Sequence, residues 1–225
     1  MTIEQNRPLQ VAIDGPAGAG KSSVAKVLAR RLGCIYLDTG AMYRAVTWLA
    51  MNQQVAFDNE SGMKQLLDTL QLEFKEIDGV QHLFCNGTDV TEAIRTPEIS
   101  ANVSAVSMIP MVREEMTSQQ RKIAAGFDVL MDGRDIGTTV LPDAQYKFFL
   151  TASLEERARR RALELEQKGV AVDMQQLMAD IALRDEKDSN REVSPLRQAE
   201  DAVLVDTSDL TFDEVVEKLF IAIKK

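Results

Sequence analysis

Short apolar runs alternate along this chain with segments whose apolar residues recur every three or four positions. Residues 9–14 (LQVAID) form a compact apolar run that reads as a buried strand. After a glycine-rich turn, Val24, Leu28 and Leu32 recur at four-residue spacing, which predicts a helix over 21–32 with these side chains on one face and Gly33 placed to close it. Residues 34–37 are a second short strand. Asp38 or Thr39 is placed to cap a helix reaching about Asn52, with Met42, Val46 and Leu49 along one side. Farther along, DVLM (128–131), YKFFL (146–150) and AVLV (202–205) read as strands. Helices are expected from Ser153, as cap, to Gly169, over 173–188, and over 212–223. Strands that alternate with helices imply a parallel sheet covered on both faces, so the fold class is α/β.

Residues 54–95 have a different texture. A short helix over 61–70 is followed by LEFKEI (72–77), Asp78-Gly79, VQHLFC (80–85) and Asn86-Gly87. Asp-Gly and Asn-Gly between alternating runs are hairpin signals, so a small antiparallel meander is expected here. Residues 97–125 are helical again, as two helices broken before Pro110.

Composition narrows the classes. The 225 residues suit one large domain or two small ones and can bury a core without staples. His82 is the only histidine, which excludes a His-rich metal site or a mechanism needing two imidazoles. Cys34 and Cys85 are too few for a disulfide scaffold or zinc ribbon. No apolar run approaches the roughly 18–20 residues that span a bilayer, and residues 1–10 lack the features of a signal peptide, so a cytoplasmic enzyme without membrane contact is expected. The formal charge of -9 argues against a nucleic-acid polymer as partner. Arginine nevertheless outnumbers lysine, 15 to 11, and its planar fork suits small phosphorylated or carboxylated ligands gathered at a local cluster.

Candidate chemistry begins at Gly15-Pro16-Ala17-Gly18-Ala19-Gly20-Lys21-Ser22, which fits G-x-x-x-x-G-K-[ST] between a strand and a helix. Glycines let the backbone wrap phosphates, successive N–H groups and the helix amino end face the anion, Lys21 reaches the β- and γ-phosphates, and Ser22 offers a hydroxyl to Mg²⁺. The loop alone does not separate a kinase from a switch GTPase or an ATPase. A guanine-reading N-K-x-D is absent from the sequence. Three arginine-bearing patches point instead to a second phosphorylated substrate. Arg44 lies one turn into the helix after the second strand and can face the carboxyl ends of the strands, where ligands of open α/β sheets sit. Asp132-Gly133-Arg134-Asp135 follows an apolar strand, the layout of a Mg²⁺-side carboxylate. Arg184, Asp188 and Arg191 fall on one helical face by spacing, as do Arg157 and Arg161 on the preceding helix; two such helices suit a lid that closes over a transferring phosphoryl group. A nucleotide-dependent switch without an acceptor is the competing class.

These residues carry a family likeness over essentially the whole chain. IDGPAGAGKSS, YLDTGAMYRA, VSAVSMIPMVRE, MDGRDIGTTVLPDA, ASLEERARRR, RDEKDSNR and SPLRQAEDAVLVDTS closely resemble the bacterial cytidylate kinases, within the P-loop nucleoside monophosphate kinases. The resemblance implies a P-loop kinase with a five-stranded parallel sheet flanked by helices (1–37, 126–152, 198–225), a monophosphate-binding insert with a small antiparallel meander (38–125) and a helical lid (153–197). It implies that Gly15, Pro16, Ala17, Gly18, Ala19, Gly20, Lys21, Ser22 and Ser23 bind ATP, with Ser22 and Asp132 on the Mg²⁺ side, partly through water. Thr39, Arg44 and Arg134 would hold the acceptor nucleotide, Ser104, Arg113 and Asp135 would read cytosine, and Arg184, Asp188 and Arg191 would serve its ribose and phosphate. Lys21, Arg134, Arg157, Arg161 and Arg184 would carry catalysis. The implied reaction is transfer of the γ-phosphoryl of ATP to CMP or dCMP by a monomer, with UMP or AMP as the alternative acceptors. The acceptor oxygen is already anionic, so no general base is needed, in keeping with a single histidine.

Overall fold

The computed structural model describes residues 7–167 and 169–224. Contacts divide the chain into two units: residues up to Asp38 together with those from Gln120 onward, and Thr39–Gln119.

In the first unit, five parallel strands form one sheet: β1 (Gln10–Asp14), β2 (Ile35–Asp38), β6 (Val129–Gly133), β7 (Tyr146–Thr151) and β8 (Val203–Asp206), in the order β2-β6-β1-β7-β8. Val11, Ile13, Leu130, Phe148, Leu150 and Val205 are buried in it. Helix α1 (Lys21–Leu32) adds Val24 and Leu28, and α8 (Phe212–Lys224) adds Val215, Val216, Leu219 and Ile223. Each such side chain contributes about 1.5–3 kcal/mol when taken fully out of water. The sequence places these strands to within a residue or two. Gly33 adopts φ +71 at the end of α1 and its N–H returns to Ala29 and Arg30, as a left-handed C-cap requires.

Two further helices belong to this unit. Helix α6 (Leu154–Glu166) starts at Ser153, whose side chain accepts the Glu156 N–H at 3.2 Å. It ends at Glu166 rather than running to Gly169: the Gly169 and Val170 amides fold back onto Glu166 and Leu165, and Gly169 takes φ +74. Helix α7 (Met174–Ser189) is capped by Asp173. Because it stops at Ser189, Arg191 lies beyond the helix, and the spacing argument that put it on a helical face with Arg184 and Asp188 does not apply. After β6 comes a π-turn, Ile136–Val140, which sequence periodicity does not signal.

The second unit holds the remaining elements, apart from the last turn of α5, which continues past Gln119. Helix α2 (Thr39–Asn52) packs on α4 (Pro97–Met108) and α3 (Glu60–Asp68), with Met42, Val46, Met63, Leu66, Val103 and Val106 buried. Asn59 caps α3 by accepting the Gly62 N–H at 3.0 Å. The expected meander is present: β3 (Leu72–Ile77) pairs antiparallel with β4 (Val80–Cys85) across Asp78-Gly79, and β4 with β5 (Thr88–Asp89) across Asn86-Gly87. Asp78 and Asn86 take φ +51 and +48 and the following glycines +76 and +80, the signature of two-residue hairpin turns. Helix α5 (Pro110–Ala124) is separated from α4 only by Ile109. The described residues contain no helix long and apolar enough to cross a membrane.

Candidate active site

The carboxyl ends of β1, β6 and β2 converge on the loop between β1 and α1. Gly15 opens that loop at φ +146, where a Cβ would stand 1.9 Å from the Leu150 carbonyl oxygen of the neighbouring strand, so only glycine fits. The loop ends at Gly20, the N-cap of α1, in a left-handed conformation with no side-chain cap and no acidic residue in the first turn. The first amides of α1 therefore present an uncapped, partially positive helix end. Lys21, 5 % exposed, folds back so that its Nζ donates to the Pro16 carbonyl at 2.7 Å. Burial and the adjacent Arg134 push its pKa well below the ordinary lysine value, against the opposing pull of Asp132 and Asp14. An anion in the loop would relieve that strain on the charged form.

Asp132 and Ser22 do meet. The Ser22 hydroxyl donates to Asp132 Oδ2 at 2.7 Å, and the Tyr36 hydroxyl donates to Asp132 Oδ1 at 2.8 Å. Asp38 lies opposite Asp132 in the β2–β6 register, and burial followed by Asp38 raises the Asp132 pKa. The raised pKa marks a buried carboxylate beside a second carboxylate, which Lys21 only partly offsets. Tyr36, whose hydroxyl is itself driven upward by burial and by Asp132, was not singled out in the sequence. Its signal was present: Tyr36 and Asp38 are two apart on a strand and so share a face.

Arg134, Asp188, Arg184 and Arg191 lie together. Arg134 Nε donates to Asp188 Oδ2 at 2.8 Å. Burial would raise the Asp188 pKa, but Arg134, Arg191 and Arg184 outweigh it and hold it below the usual range. Asp135, 4 % exposed, follows Arg134 and leads into the π-turn.

Arg157 and Arg161 part company. Arg157 is buried against the loop: its Nε donates to Ala152 O and its Nη1 to Ala17 O, both at 3.0 Å, and Nη1 also pairs with Asp185. Asp185 in turn accepts the Ala17 N–H at 3.3 Å. The two helices thus grip the backbone of Ala17. Arg161 is on the outer side of α6, 43 % exposed and paired with Glu164 at 2.8 Å. Arg160, between Arg157 and Arg161 in sequence, binds Thr207 through Nη1 and Nη2 at 3.0 and 2.7 Å and approaches Gly20. Neither Asp185 nor Arg160 was singled out in the sequence; charged helix faces are too common for spacing alone to mark them.

In the second unit, Arg113 is 2 % exposed; its Nη1 donates to Ser107 O at 3.1 Å and its guanidinium stands 5.4 Å from the Tyr43 ring centroid. Ser104 precedes it on α4, with its carbonyl taking the Ser107 hydroxyl at 2.9 Å. Thr39 is buried at the start of α2 and Arg44 is half-buried one turn later. A cleft lies elsewhere, between Arg7, Pro8 and Leu9 and Gly126, Phe127 and Asp128. That is the amino end of β1 and β6, and ligands of open α/β sheets sit at the carboxyl ends, where the loop is.

Solved structures with this fold include an uncharacterized protein from Eubacterium ventriosum (TM-score 0.54, 14 % identical, covering 96 % of this chain and 99 % of that one) and shikimate kinase from Bacteroides thetaiotaomicron (TM-score 0.50, 13 % identical, covering 96 % and 99 %). Curated relatives are far nearer in sequence. The cytidylate kinase of Lactobacillus gasseri is 54 % identical over 96 % of this chain and 94 % of its own length, and that of Caldanaerobacter subterraneus 53 % identical over 98 % and 96 %. The cytidylate kinase of Bacillus thuringiensis is 50 % identical over 95 % of both chains. The cytidylate kinase family profile matches residues 11–225. This chain belongs to the cytidylate kinase family.

Proposed function

We propose that the protein transfers the γ-phosphoryl group of ATP in line to the α-phosphate of CMP or dCMP, in the cytoplasm and as a monomer. The observation that carries this reading is the loop: an uncapped helix end, a glycine that the close approach of Leu150 requires, and a buried ammonium held below its ordinary pKa by burial and Arg134. Together these make a receptor for a polyphosphate.

The residues that would hold Mg²⁺ are Ser22 and Asp132, with Asp38 behind them. Hard oxygen donors of this kind, few in number, suit Mg²⁺, which keeps several waters and takes the rest of its shell from substrate phosphates. Among the described residues no cluster of three or more His, Cys, Asp or Glu forms a protein-only cage. Held there, Mg²⁺ would supply charge neutralisation for the transferring phosphoryl group.

The chain's own groups do the rest by position. Lys21 neutralises charge on the transferring group, and Arg134 and Arg184 flank the path, with Asp188 orienting Arg134 through its 2.8 Å hydrogen bond. Arg157 and Asp185 hold the loop itself, so Arg157 acts through the backbone of Ala17; Arg161 is assigned no part, since it pairs with Glu164 at the surface. For the acceptor, Thr39 and Arg44 serve its phosphate side and Arg191 its ribose and phosphate. Ser104 and Arg113 donate to cytosine N3 and O2, and Asp135 accepts from the exocyclic amino group. Uracil presents an oxygen there, so a carboxylate rejects it by leaving a buried polar group unpaired. No proton shuttle is required, because the attacking oxygen is an anion.

Replacing Lys21 with alanine tests this directly. The folded variant is expected to lose about 10²-fold or more in kcat with CMP; turnover near that of the unaltered protein would exclude Lys21 from the reaction and with it the reading of the loop.

A further inference from the structure

Asp14 has no part in the scheme above, yet it sits between its two halves. It is the last residue of β1, 3 % exposed, and Gly15 follows it into the phosphate-binding loop. Oδ1 accepts the Ile136 N–H at 2.8 Å and Oδ2 the Gly137 N–H at 2.7 Å. These two amides open the π-turn immediately after Asp135. The other side of that peptide is fixed as well: the Asp135 carbonyl takes the amides of Thr139 and Val140 at 2.9 and 3.2 Å. The backbone of Asp135 is therefore clamped from both directions, once by the turn itself and once by the Asp14 carboxylate.

The packing leaves no slack in the clamp. A Cβ on Gly137 would stand 3.2 Å from Lys147 Cδ and 3.4 Å from Asp14 Oδ2. Asp14 itself is anchored by the ladder, opposite Gly133 on one side and Phe149 on the other. Removing its carboxylate would free the turn while the strand, and the loop that grows from it, stay in register.

We propose that Asp14 is a positioning residue for acceptor selection, holding the Asp135 segment by its two amide hydrogen bonds so that the Asp135 carboxylate meets the base at a fixed angle. This rests on the reading of Asp135 as the group that meets cytosine. A buried carboxylate that accepts two N–H donors does what a neutral amide cannot, since one face of an asparagine side chain would turn its own N–H toward a backbone N–H. Burial raises the Asp14 pKa, the Gly137 and Ile136 amides pull it back, and Asp135 and Lys21 act in opposite directions; the net value is about 6, so at neutral pH the carboxylate is mostly ionised and available as a double acceptor.

The test is steady-state kinetics with ATP, CMP and UMP on Asp14→Asn, with Asp135→Ala alongside. Asp14→Asn is expected to raise KM for CMP about tenfold and to narrow the CMP-over-UMP ratio of kcat/KM, while KM for ATP moves less than about threefold. A KM for CMP within about twofold of the unaltered protein would overturn the proposal. So would a parallel rise in both KM values with the CMP-over-UMP ratio unchanged, the signature of a merely structural residue. If Asp14→Asn does not fold, Gly137→Ala disturbs the same junction with the carboxylate in place and is read by the same criteria. If Asp135→Ala leaves the base preference unchanged, the reading of Asp135 falls, and KM for CMP in Asp14→Asn still decides the role of Asp14.

Discussion

Three buried charges set the character of this site: Asp14, Lys21 and Asp132 lie 3, 5 and 4 % exposed within one strand end of each other. Each is displaced from its ordinary pKa by burial first and by its neighbours second. For Asp14 the consequence is measurable. Its folded pKa of about 6 lies above the ordinary 3.8, so the folded state holds a proton the unfolded chain has released between those values. Stability from this group is complete below pH 4 and falls as pH rises through 6, by about 3 kcal/mol in all. Asp14→Asn lacks that loss, so its stability deficit against the unaltered protein should shrink between pH 4 and pH 7 in denaturant titrations; a constant deficit would mean Asp14 does not titrate there. The groups facing Asp14 are Lys21 and Asp135. For Tyr36→Phe, Asp132 loses the 2.8 Å hydrogen bond that orients it. KM for Mg·ATP should rise about three- to tenfold with KM for CMP unmoved; an unchanged KM for Mg·ATP would remove Tyr36 from the metal side. At this scale, sequence reading reached residues whose motif states their chemistry, such as Lys21 and Ser22. It passed over Asp14, because an aspartate at a strand end has no pattern until the partner amides, 122 residues away, are known.

Elements were far more legible, because their signals are local. Hairpin turns at Asp78-Gly79 and Asn86-Gly87, the break before Pro110, the Ser153 cap and the Gly33 close all follow from residue type at a fixed offset. What escaped is what long-range contact decides. The first amides of the π-turn at Ile136–Val140 are held by Asp14, from the far strand end. Arg160 rather than Arg161 approaches the loop because α6 lies on Thr207, a residue from beyond β8. The pair formed by Arg157 on α6 and Asp185 on α7, both gripping Ala17, makes these helices a brace for the phosphate loop. Asp185→Ala leaves Arg157 without its carboxylate in a site where the two side chains are 9 and 20 % exposed. It should destabilise by about 2 kcal/mol and raise KM for ATP more than KM for CMP. Equal KM values for ATP in variant and parent would reduce the brace to an ordinary ion pair.

For the whole molecule, the charge of -9 and the arginine excess are reconciled by location. Asp14, Asp38, Asp132, Asp135 and Asp188 apart, most Glu and Asp are exposed, whereas Arg113, Arg134, Arg157, Arg184 and Arg191 are buried or half-buried. The single histidine, His82, pairs with Asp89 on the meander and stands outside the proposed chemistry. The central claim is selective phosphoryl transfer to a cytosine monophosphate, and turnover with ATP against CMP, dCMP, UMP and AMP in parallel tests it most directly. The expected result is kcat/KM for CMP and dCMP at least about 10²-fold above that for UMP and AMP. Equal turnover on all four, or ATP hydrolysis indifferent to every monophosphate, would contradict it.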